Sequence, residues 1–120
     1  MRNTYLQLIQ MITGVLIAIL LGVHVVVQHL DAVLGFFGVD VAEATSWESM
    51  TDRASQGIWV FIYIALLVFG LYHALNGLRN ILLEVTTSTG TMRVINWVLI
   101  LLGVVFLVLG IYAPIALLSI

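Results

Sequence analysis

The chain has 120 residues, 62% of them hydrophobic and 8% charged, with a formal net charge of -2. That balance lies far outside the range of soluble globular domains and identifies a membrane protein. Four arginines without a lysine offer no basic surface for nucleic acid, and the lack of cysteine excludes disulfides, iron-sulfur ligation and cysteine-linked haem within the chain itself.

Three apolar stretches, about Leu8 to Leu30, Ile58 to Leu83 and Ile95 to Leu117, are each long enough to cross roughly 30 Å of hydrocarbon at about 1.5 Å per residue. The expected fold is therefore all-α and transmembrane, a single membrane domain over residues 1–120. The first span follows a single Arg2 and ends in Gln28-His29-Leu30-Asp31, with no small-residue cleavage site, so it is expected to be a retained helix. Along it Gln10, Thr13, His24 and Gln28 form a polar stripe at helical spacing that should face protein or a cofactor. His24 is equally well read as a ligand or as a helix-interface group; His29, beside Asp31, lies at the boundary.

The connection over residues 31–57 is too long for a tight turn and carries Gly35-Phe36-Phe37-Gly38 and an acidic stretch around Trp47. An interfacial helix is expected near Val41 to Met50, with Trp47 and Trp59 at the headgroup level.

The second span places His73 inside lipid. An imidazole there is costly unless paired, and its neutral form is a good iron ligand, so the default reading is functional. Gly70, His73, Gly77, Asn80 and Glu84 share one stripe, and the two glycines leave room beside the imidazole for a large planar macrocycle. The rival reading is a histidine hydrogen-bonded across a helix interface. Arg79, one and a half turns on, can snorkel, meet a haem propionate or anchor the helix.

A Thr/Ser/Gly loop over Val85 to Met92 precedes the third span. There Asn96, Gly103 and Gly110 recur every seven residues and should face a neighbouring helix closely, while Pro114 lies near the end. Arg2, Arg79 and Arg93 against a lone Arg53 among five acids of the first connection put the N-terminus inside and the C-terminus outside. With that topology His24 and His73 differ in depth by on the order of 12 Å, too far to clamp one haem, so each would need a partner from another subunit.

His73-x3-Gly77-x-Arg79 with an acid at Glu84 resembles the second-helix motif of the cytochrome b membrane anchors of succinate:quinone oxidoreductases (succinate dehydrogenase and fumarate reductase). Thr13-Gly14 is similar to the start of their first helix, and Gly22-Val23-His24 to the first-helix histidine of the types with additional haem. Trp47 to Asp52 resembles the approach to the second helix. The phrase His-Ala-Leu-Asn-Gly-Leu-Arg is most similar to the smaller of the two hydrophobic anchors in these complexes.

The resemblance implies a three-helix half-anchor that packs with a second anchor into a haem-binding bundle, plus an iron-sulfur subunit and a flavoprotein that oxidises succinate. It implies haem b, one or two per complex, with His73 and His24 as axial ligands of the iron and Gly70, Gly77 and Arg79 around the cofactor. It further implies an inner-membrane location and electron delivery to quinone; two haems would fit menaquinone. Met11 and Val85 replace an Arg and a Tyr frequent in these anchors, so quinone contacts are expected to come mainly from the partners. The alternatives are a haemless structural anchor and a small transporter or channel subunit.

Overall fold

The computed structural model describes residues 4–118, so Arg2 lies outside the described residues. Five helices follow in order: α1 (Thr4–Gln28), α2 (Leu30–Phe36), α3 (Trp47–Ser55), α4 (Gly57–Glu84) and α5 (Thr89–Leu118). The fold is all-α, with α1, α4 and α5 long and apolar enough to cross a membrane. In the most apolar window of each span at most 6% of the residues are buried within the chain. Exposed side chains such as Val15, Phe61, Leu101 and Leu109 therefore meet lipid or partner protein rather than a core.

α4 is the central helix. It packs against α1 on one side and α5 on the other, and among the described residues the backbones of α1 and α5 do not approach each other closely. The α4–α5 contact follows the heptad stripe expected from sequence. Arg79 Nε donates to Asn96 Oδ1 at 2.6 Å, and a Cβ on Gly103 or Gly110 would come within 2.9 Å of Leu75 or 2.5 Å of Leu67. Leucines of α4 thus fill the gaps that glycines leave on α5, which brings the two backbones close together.

The connection differs from expectation in two ways. Its short amphipathic helix runs over Trp47–Ser55 instead of Val41 to Met50, because Ser46 is the N-cap and accepts from the Ser49 amide at 3.2 Å. The first span also breaks at His29, and α2 continues from it. α2 then stops in a Schellman arrangement: Gly38 adopts φ +80, its amide donates to Gly35, and the Val39 amide donates to Leu34. α3 lies against α4 and α5, with Ala54 4% exposed and Arg53 Nη2 donating to the Ala44 carbonyl at 2.6 Å. At the other end the loop is shorter than expected. Residues 85–88 suffice, because Met92 N already donates to the Ser88 carbonyl in the first turn of α5.

Candidate functional site

Gln10, Thr13 and His24 of α1 meet α4, and antiparallel packing decides which groups face each other. His73 projects from α4 so that Nδ1 lies 3.1 Å from the Gln10 carbonyl oxygen. A carbonyl can only accept, so Nδ1 carries the ring proton. Thr13, 4% exposed, gives its hydroxyl proton to the Ile9 carbonyl at 2.7 Å and turns its oxygen to the same Nδ1 at 3.3 Å. Both neighbours of Nδ1 therefore favour one tautomer, in which Nε2 holds the lone pair. Among the described residues no group hydrogen-bonds to Nε2.

The side chain of Gln10 completes the seam. Its Nε2 donates to the His73 carbonyl at 3.0 Å, and its Oε1 accepts from Asn76 Nδ2 at 2.9 Å. Each helix supplies a glycine for the polar group of the other. A Cβ on Gly14 would stand 3.1 Å from His73 Cε1, and one on Gly77 would stand 3.1 Å from Gln10 Nε2. The two glycines expected to flank a macrocycle thus play different parts. Gly70 faces open space, with nothing within 4 Å of an added Cβ, whereas the gap at Gly77 is filled by the Gln10 amide.

His24 has different surroundings. Its ring meets Tyr63 of α4 edge-on, centroids 5.5 Å apart, and its Nδ1 is buried without a hydrogen-bond partner. Ten residues separate Gly14 from His24 on α1, and ten separate Tyr63 from His73 on α4. At about 1.5 Å per residue the two imidazoles lie about 15 Å apart along the bundle, slightly beyond the offset expected from sequence. They do not face a common site. Arg79 is also displaced from His73. Its guanidinium turns to Asn96 on α5, whereas the imidazole turns to α1, and the two side chains do not share a pocket.

The His73 environment fits haem ligation on chemical grounds. An imidazole whose Nδ1–H is held by a backbone carbonyl presents a well-oriented Nε2 lone pair, as metal-bound histidines usually do. No group of three or more His, Asp or Glu that could hold a metal ion occurs among the described residues. His24 has no carbonyl in the corresponding place.

Sequence reasoning missed Gln10, Gly14 and Asn76 as neighbours of His73. The signal was present, since Gln10 and Gly14 lie one helical turn apart beside Thr13 on an otherwise apolar helix.

Residues 2–112 match the family model described as succinate dehydrogenase/fumarate reductase transmembrane subunit. A succinate dehydrogenase hydrophobic membrane anchor subunit of Thermoplasma acidophilum is 28% identical over 101 residues, covering 84% of this chain and 76% of that protein. One of the same description from Archaeoglobus fulgidus is 34% identical over 86 residues, 72% of this chain and 64% of its own length. No solved structure is significantly similar.

Proposed function

The chain belongs to the family of succinate dehydrogenase/fumarate reductase transmembrane subunits, and on that footing we propose that it is the haem-bearing smaller anchor of a succinate:quinone oxidoreductase. His73 Nε2 would hold the iron of a haem b. The observation that carries this reading is the Nδ1–H bond to the Gln10 carbonyl, which leaves the lone pair on Nε2. Bound there, haem would supply one-electron transfer between the iron-sulfur subunit and quinone. The chain's own residues fix the tautomer, through Gln10 and Thr13, and seat the ring, through Gly14.

In this reading any further group holding the same iron would come from a second anchor subunit, because His24 lies too far away along the bundle. His24 would face a second haem with a ligand of its own from that partner. An iron-sulfur subunit and a flavoprotein complete the complex at the cytoplasmic face, and menaquinone is the acceptor that two haems favour. Orientation is part of the proposal: N-terminus cytoplasmic, C-terminus external, in the cell inner membrane. A cysteine replacing Ala42 in this cysteine-free chain should then react with an impermeant thiol reagent in intact cells. Labelling only after lysis would invert the topology.

A second reading, a haemless structural anchor, is favoured by the same seam, since His73 also ties α4 to α1. The two diverge at Nε2. Reduced-minus-oxidised spectra of the purified complex should show a b-type signal, and pyridine haemochrome assay should show its loss in His73→Ala. A complex without haem, or full haem content in that variant, supports the structural reading instead.

A further inference from the structure

A groove of about 540 Å³ opens between α4 and α5, and of the side chains in the His73 seam only Asn76 also lines it. Its polar residues cluster at one end. Arg79 and Asn96 meet there, with Asn76 beside them, and the Tyr72 hydroxyl points the same way, 3.5 Å from the Leu6 carbonyl near the start of α1. From that end the floor and walls turn apolar, through Leu99, Ile100, Gly103 and Val104 to Leu107. Asn96 and Leu107 are eleven residues apart, so the groove runs about 16 Å along α5. Arg79 is five residues from the end of α4, about 8 Å, which is the depth from which an arginine reaches a membrane surface.

Among the described residues the Arg79 charge meets only a neutral amide. Arg79 uses Nε for the neutral Asn96 amide, and among the described residues its Nη donors have no hydrogen-bond partner and no carboxylate pairs with it. A planar fork with both Nη groups open matches a tetrahedral oxyanion bidentately. No histidine lines the groove, so it offers nothing to a haem iron. A neutral head would leave the cation unmatched in a region of low dielectric.

We propose that this groove holds a membrane phospholipid, its phosphate on Arg79 at the interfacial end and an acyl chain running over Ile100 and Val104 towards Leu107. Polarity, depth and direction all follow those of a lipid already standing in the leaflet. The site is independent of the haem assignment, since it shares no side chain with the His73 contacts except Asn76, whose amide is already committed to Gln10.

The test uses the intact purified complex and phosphatidylglycerol spin-labelled on its acyl chain, with the immobilised fraction read by electron paramagnetic resonance. Wild type should immobilise the probe, and Arg79→Gln should weaken its binding about tenfold, the equivalent of about 1.4 kcal/mol. Ile100→Trp alters a side chain that is 57% exposed and fills the apolar part. It should displace the probe while the optical spectrum of the complex stays unchanged. Millimolar inorganic phosphate should not compete. Wild-type probe binding in both variants would overturn the proposal, as would full competition by phosphate alone. So would an Arg79→Gln complex that keeps the probe but shifts a haem midpoint, the mark of a propionate partner, or one that keeps the probe and sheds the second anchor, the mark of a protein interface.

Discussion

His73 and His24 are the same residue type at the same helix pair, both partly buried, yet their surroundings prepare them for different work. At His73 two oxygens converge on Nδ1 and a glycine opposite makes room for the ring. At His24 the ring rests on Tyr63, and the buried Nδ1 has no partner in the chain. An unpaired buried polar atom costs about 1–3 kcal/mol, so this second position is energetically incomplete in the isolated chain. Depth in the membrane does not by itself prepare a histidine as a ligand. What prepares it is the acceptor on its far nitrogen, which decides where the lone pair points.

Removing each imidazole in turn separates the two positions most directly. If the proposed ligation holds, His73→Ala should abolish one haem component, whereas His24→Ala should remove at most a spectrally distinct second component and leave the first intact, because the two imidazoles are about 15 Å apart. Pyridine haemochrome content and difference spectra of the intact complex read both. Loss of the same component in both variants would mean that the imidazoles share one site.

Next in size is the seat of the ring. In Gly14→Val a Cβ would stand 3.1 Å from His73 Cε1 with two further methyls beyond it, so the imidazole must rotate away from the Gln10 carbonyl. Most of the His73 haem should be lost, and what remains should show altered low-spin resonances. A full and unperturbed signal would show that the carbonyl contact does not orient the ligand.

A smaller effect is expected from Gln10→Leu. The substitution deletes the two side-chain bonds to His73 O and Asn76 but retains the backbone carbonyl that fixes the tautomer. Thermal stability of the complex should fall by about 1–2 kcal/mol, with haem content little changed, since interhelical hydrogen bonds in membranes contribute roughly 0.6–2 kcal/mol each. Slighter still, Tyr63→Leu removes one edge-to-face pair, worth about 0.5–1.5 kcal/mol. It should perturb only whatever His24 binds, leaving the His73 signal at its wild-type position.

Much of this architecture is legible in the residues alone. Hydropathy and length mark the three spans, and the sevenfold recurrence of Asn96, Gly103 and Gly110 announces a close helix contact. His73 stands out because an imidazole in lipid needs an explanation. The partners of His73 do not stand out, because which turn of α1 faces which turn of α4 is a register, and periodicity within one helix carries no register. The short helix is displaced for a simpler reason. A serine cap at Ser46 decides where it begins, and the weak pattern from Val41 onward cannot compete. Arg79 is expected near the histidine because both are on one helix, but a separation of six residues turns a side chain about 120° around the axis, towards α5.

The central position of α4 also divides the chain's polar contacts between two separate interfaces. When α1 first enters the bilayer, Gln10 and Thr13 face lipid and can satisfy only part of their polar groups within their own helix. They acquire Asn76 and His73 only when α4 follows. α5 packs on α4 without any close backbone approach to α1, so its interface is separate from that seam. A ribosome-bound chain ending after α4 already contains the whole His73 seam. Insertion of the last helix is then free of any rearrangement at the imidazole.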